Sequence, residues 1–140
     1  SGFLHWGHDI SPEENQYQAG LSFAVSFKKD VEFIGKQALE KIRKEKVTRR
    51  FAMLILKNSK PGNPLLLHEE PIFLDDVIIG RTTSGNYSFN YNKNLSFGYI
   101  STSLSNEELQ NKKLYIEVEK QKHEVNILLK PLKNTRFKVI

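Results

Sequence analysis

Cysteine is missing altogether from these 140 residues. Disulfides, thiolate nucleophiles and cysteine-ligated zinc or iron–sulfur centres are therefore excluded. Long apolar runs are missing too: none approaches the roughly 20 residues that a bilayer-spanning helix needs, so no membrane helix is expected. There is no Gly-x-Ser-x-Gly elbow, and no serine, histidine and aspartate fall into a catalytic order, which leaves acyl transfer unsupported. Gly80-Arg81-Thr82-Thr83-Ser84-Gly85 comes nearest to a glycine-rich loop. It lacks the lysine and the strand–loop–helix setting of a phosphate cradle. Nothing repeats at a fixed period.

What is present suits one soluble domain with a real core: 39% of residues are hydrophobic and 11% aromatic, ordinary values for a globular chain. The net charge of +5 comes largely from Lys36 to Arg50, where Lys36, Lys41, Arg43, Lys44, Lys46, Arg49 and Arg50 outweigh Glu40 and Glu45. Such a stretch reads first as a solvated helix face. The alternative is contact with a polyanion, whether nucleic acid, anionic membrane or small molecule.

The periodicity divides the chain near Arg50. Lys36 to Lys46 places Ala38, Leu39 and Ile42 on one face among good helix formers, which predicts an amphipathic helix. From Phe51-Ala52-Met53-Leu54-Ile55-Leu56 onward strands are expected, at Pro71 to Leu74, Val77 to Thr83, Ser96 to Ile100, Lys113 to Glu119 and His123 to Leu129. Asp75-Asp76 and Lys120-Gln121-Lys122 read as tight turns. Tyr87 to Asn94 reads as a strand end plus loop, and Gly85 and Gly98 as bulges or sharp bends. Short strands at this spacing favour a small antiparallel barrel. The fold class is α+β, mainly β: a C-terminal antiparallel barrel preceded by a helix and a less regular segment.

His5 and His8 are three residues apart, but no further ligands stand at a recognisable spacing, since His68 and His123 are distant in sequence. The expected reading is a packing cluster around Trp6 and no metal site. Asp9 is read as a turn or capping acceptor.

Four motifs follow one another in order: His5-Trp6-Gly7-His8-Asp9-Ile10, Ala19-Gly20-Leu21-Ser22-Phe23-Ala24-Val25, Phe33-Ile34-Gly35-Lys36-Gln37-Ala38-Leu39 and Thr83-Ser84-Gly85-Asn86-Tyr87. Together they resemble the C-terminal part of the tetrahydrofolate-binding aminomethyltransferase family, which includes the glycine cleavage T-protein and the folate domains of dimethylglycine and sarcosine dehydrogenases. The resemblance implies that residues 1–48 end a folate-binding domain and that 49–140 form the family's C-terminal β-barrel. It also implies an incomplete chain, because the family pattern continues upstream of Gly2 through an acidic residue and a catalytic aspartate.

No catalytic residue is therefore expected here, and what the resemblance implies is binding. Trp6 stands where the T-protein pattern has a tyrosine, Lys29 where it has a folate-contacting arginine, and Phe137 where it has a folate-contacting tyrosine. Arg49 and Arg50 match the basic pair that opens the barrel, and Asn15-Gln16-Tyr17-Gln18 replaces Thr-Pro-Leu-Glu. The segments around Trp6 and at Leu65 to Ile72 look more like the dimethylglycine/sarcosine dehydrogenase type. That type implies tetrahydrofolate as acceptor, an upstream FAD domain, a small N-methyl amine substrate and 5,10-methylenetetrahydrofolate as product. A free-standing T-protein would instead imply a lipoyl carrier partner. Either implies the bacterial cytoplasm or the mitochondrial matrix. A noncatalytic barrel binding nucleic acid through Arg49, Arg50 and the basic helix is the reading from another class.

Overall fold

A computed structural model describes residues 2–29 and 31–129. Its centre is a closed six-stranded barrel: β1 (Arg49–Leu56), β2 (Pro71–Leu74), β3 (Val77–Ser88), β4 (Lys93–Ser101), β5 (Leu114–Val118) and β6 (Gln121–Leu128), in the order β1-β4-β3-β2-β5-β6 with all pairs antiparallel. Alternation fills the interior. In β5, Leu114, Ile116 and Val118 are buried while Tyr115 and Glu117 are less so; Val125 and Ile127 of β6, Ile72 of β2, Ile100 of β4 and Leu54 and Leu56 of β1 complete the core. Closure removes every free sheet edge.

The expected elements recur with shifted ends. The helix α1 (Lys36–Arg43) stops short of Lys46, because the amides of Lys44 and Glu45 donate to the carbonyls of Lys41 and Ile42 three residues back, tightening the last turn. β3 and β4 run through much of the Asn- and aromatic-rich stretch and pair up to Ser88↔Lys93, so the turn is confined to residues 89–92. The last hairpin turns at Glu119-Lys120, one residue before the expected place; both have positive φ, as a two-residue primed turn requires. A short helix, α2 (Asn106–Gln110), closes one end with buried Leu109. Its capping box pairs the Ser105 hydroxyl with the Glu108 amide and the Glu108 carboxylate with the Ser105 amide.

Of the two glycines read as bulges or sharp bends, Gly98 lies opposite Thr82, where the β3 bulge begins, and Gly85 follows Ser84, where it ends. The register shifts lie between Thr82 and Ser84 of β3 and between Ile72 and Phe73 of β2. The two glycines permit close approach: a Cβ on Gly85 would lie 2.6 Å from Leu66 Cβ, and one on Gly98 would lie 2.6 Å from the Arg81 carbonyl oxygen.

The N-terminal segment lies on the outside of β1 and β4. The Phe51 amide donates to the Gln18 carbonyl (2.8 Å), and the Tyr99 hydroxyl donates to the Asp9 carbonyl (2.9 Å). Asn15 Oδ1 accepts from the amides of Tyr17 and Gln18, each at 3.0 Å, so Asn15-Gln16-Tyr17-Gln18 makes its turn with a side-chain cap in place of a proline.

Candidate functional site

β1 carries apolar residues on both faces. Ala52, Leu54 and Leu56 point into the barrel, whereas Phe51 and Met53, facing out by the period of two, line a cleft of about 780 Å³ under the N-terminal segment. Phe97 of β4 joins them from beside Phe51, ring centroids 5.0 Å apart. Phe3, Trp6, Ile10 and Phe23 form the opposite wall. Among the described residues no side chain in the lining is ionisable. The cleft can hold flat apolar surface, and its size is that of a small-molecule site, but its walls contain nothing that moves a proton.

Trp6 is 66% exposed at this cleft. The expected cluster of histidines packed around it does not form. His5 and His8 are exposed and stack on each other with ring centroids 4.6 Å apart, and His68 lies 6.5 Å from His8. Among the described residues no three His, Asp or Glu side chains are grouped to hold a metal ion.

The cationic candidates do not gather at the cleft. Arg49 lines a separate polar pocket of about 520 Å³ on the barrel wall with Arg81, Thr83 and Tyr99. There its guanidinium lies 4.2 Å from the Tyr99 ring centroid and donates to Glu14 Oε1 at 2.8 Å. Burial pushes the Tyr99 hydroxyl up to about 12; the Glu14 carboxylate adds to this, and Arg49 opposes it. Glu14 is itself desolvated, which raises its pKa, but the Ser11 and Arg49 hydrogen bonds outweigh that and hold the carboxyl below its ordinary value. Arg50 donates to Asn106 Oδ1 and the Leu104 carbonyl, binding α2 to β1. Lys29 is exposed, outside both pockets, and enters no ion pair among the described residues. Phe137 lies outside the described residues.

Two groups escape a reading by motif. One is the apolar floor, Phe51, Met53 and Phe97; its signal is the unbroken apolar run from Phe51 to Leu56, which a strand covered on one face alone would not need. The other is the set of polar partners of Asp9, far away in the chain.

This fold belongs to a known class. The family described as Glycine cleavage T-protein C-terminal barrel domain matches residues 49–133, more than half of the chain, and the chain belongs to that family. It is similar to mitochondrial dimethylglycine dehydrogenase of Mus musculus, 36% identical over 106 residues that cover 74% of this chain and 12% of that protein. It is also similar to the aminomethyltransferase of Symbiobacterium thermophilum, 33% identical over 100 residues, 71% of this chain and 26% of that protein. The crystal structure of glycine cleavage system aminomethyltransferase T from Bartonella henselae shares the fold, with a TM-score of 0.72 at 21% identity, covering 90% of this chain and 34% of that one. The chain thus spans about 12% to 26% of the length of these curated relatives.

Proposed function

We propose that this chain is the folate-side tail and barrel of a tetrahydrofolate-dependent one-carbon transfer enzyme of the dimethylglycine/sarcosine dehydrogenase type. The observation that carries the reading is the apolar cleft closed by Trp6. Its aromatic walls suit the flat pterin or aminobenzoyl ring of a folate. Tetrahydrofolate supplies the nitrogens that accept the one-carbon unit. The chain's own side chains supply contact surface and water exclusion, and Lys29, beyond the cleft, a cation for the glutamate tail. Because no ionisable group among the described residues lines the cleft, proton transfer falls to groups elsewhere in the enzyme, and an FAD domain would oxidise the N-methyl amine.

Similarity to the free-standing aminomethyltransferase supports a second reading, in which a lipoyl carrier delivers the one-carbon unit. A glycine-rich dinucleotide fingerprint in the upstream gene sequence favours the first; its absence favours the second. Binding is tested by calorimetric titration of the full gene product with tetrahydrofolate. Trp6→Ala should weaken binding roughly tenfold, the scale of one lost stacking contact. Unchanged affinity for Trp6→Ala would remove the cleft from the reading, and unchanged affinity for Lys29→Ala would remove Lys29 from it. The 140 residues alone should show no turnover.

A further inference from the structure

Asp9 is the one charged residue among the described buried ones, at 2% exposure. Burying a carboxylate is costly unless its lone pairs are filled. Here all the donors are neutral: Thr83 Oγ1 at 2.5 Å and Ser84 Oγ at 2.7 Å reach Oδ1, and the His5 amide reaches Oδ2 at 3.0 Å. No cation pairs with it among the described residues. A well-packed apolar residue often does as well for stability as a buried charge, so the position of this carboxylate needs another account.

The barrel is shaped to meet it. Consecutive residues of a regular strand face opposite ways, so Thr83 and Ser84 should not share a partner. The register shift of β3 against β4 falls between Thr82 and Ser84, and a bulge of this kind re-aims a side chain. Both hydroxyls thereby converge on one oxygen. From the neighbouring strand the buried Tyr99 hydroxyl donates to the Asp9 carbonyl at 2.9 Å. On the other side the loop closes on itself: the Asp9 amide donates to the His5 carbonyl and the Gly7 amide to the Ile10 carbonyl, each at 2.8 Å, and Trp6 bridges to Ile10. A six-residue loop that carries the exposed Trp6 is hung on the barrel largely through one residue.

We propose that Asp9 is a positioning residue: it latches the loop of residues 5–10 to the bulge of β3 and so fixes the Trp6 ring at the mouth of the apolar cleft. The inference rests on the reading that the cleft takes the ring of a folate, and it adds that ring placement is set from the barrel side.

Trp6 is the sole tryptophan of the 140 residues, so the chain labelled with 5-fluorotryptophan gives one fluorine resonance. A single narrow line is expected for the parent protein. Asp9→Ala should broaden or split it and move it toward free fluorotryptophan. Thr83→Val combined with Ser84→Ala, which keeps the loop sequence intact, should shift it the same way, and Thr83→Ser, which keeps the hydroxyl, should restore it. Asn94→Ala is the control. It removes a buried side chain that donates to the Lys60 and Pro64 carbonyls, so it should lower the melting temperature and leave the line unmoved.

In the full gene product, Asp9→Ala should weaken 5-formyltetrahydrofolate binding by about tenfold, a factor equal to one or two lost hydrogen bonds. An unchanged fluorine line in Asp9→Ala and in the Thr83/Ser84 double variant overturns the latch. A freed ring with undiminished affinity overturns its role in binding. If the parent protein binds no folate while the line still moves, the latch stands and the folate reading falls.

Discussion

Glu14 shows how much one largely covered side chain can contribute. Its side chain is 8% exposed, and its oxygens accept from Arg49 and from the amide and hydroxyl of Ser11. Since the folded carboxyl titrates below its ordinary 4.5, the folded state binds fewer protons than the unfolded chain in the window beneath that value. The contribution is complete above pH 4.5 and is lost as pH falls through the folded value. Glu14→Gln should cost about 1–2 kcal/mol at neutral pH, the range of a charge-assisted bond. It should also flatten the acid limb of urea midpoint plotted against pH; an acid limb as steep as that of the parent would contradict the assignment. Arg49→Lys should cost less than Glu14→Gln, because it keeps the charge and gives up the stacking on Tyr99.

At the scale of elements, close strand approach sets the tolerance of the barrel. A Cβ on Gly80 would sit 1.9 Å from the Tyr99 carbonyl oxygen, and the atoms in the way are backbone that cannot step aside. Gly80→Ala should therefore lower the thermal midpoint more than Ser105→Ala, which removes only the cap of α2 at about 0.5–2 kcal/mol; calorimetric scans of the two variants compare them directly. The same elements show what was legible beforehand. β5 was readable because Leu114, Ile116 and Val118 alternate with Tyr115 and Glu117. The hairpins were readable from Asp75-Asp76 and the basic turn near Lys120. The Ser105–Glu108 capping signature is in the sequence, but five residues are too few to display a helical period. The bulge at Thr83 was signalled only by Gly98 opposite it and Gly85 beside it; its purpose was not legible, since it answers to Asp9, 74 residues earlier. Trp6 stood out by motif and does line the cleft, whereas the basic pair read together as Arg49 and Arg50 separates in space, because adjacent strand residues face opposite ways.

Over the whole molecule, apolar exposure is uneven. Phe3 is 80% and Phe23 84% exposed, and Trp6, Val31 and Ile34 join them on the segment before α1. Exposed apolar surface of this kind favours association, while a net charge of +5 keeps copies apart. Added salt screens the charge and leaves the apolar term, so the 140-residue chain should sediment as larger species at high ionic strength than at low. Phe23→Ser with Ile34→Ser should suppress the change, and association that weakens with salt would assign it to charge instead. The barrel's closure has a consequence in time. β1 pairs with β4 on one side and on the other with β6, Met53 opposite Leu128. As the polypeptide leaves the ribosome, the first strand of the barrel must wait for the last, and until Gln121 to Leu128 emerge, its Met53-to-Leu56 edge is an open template for any neighbouring chain.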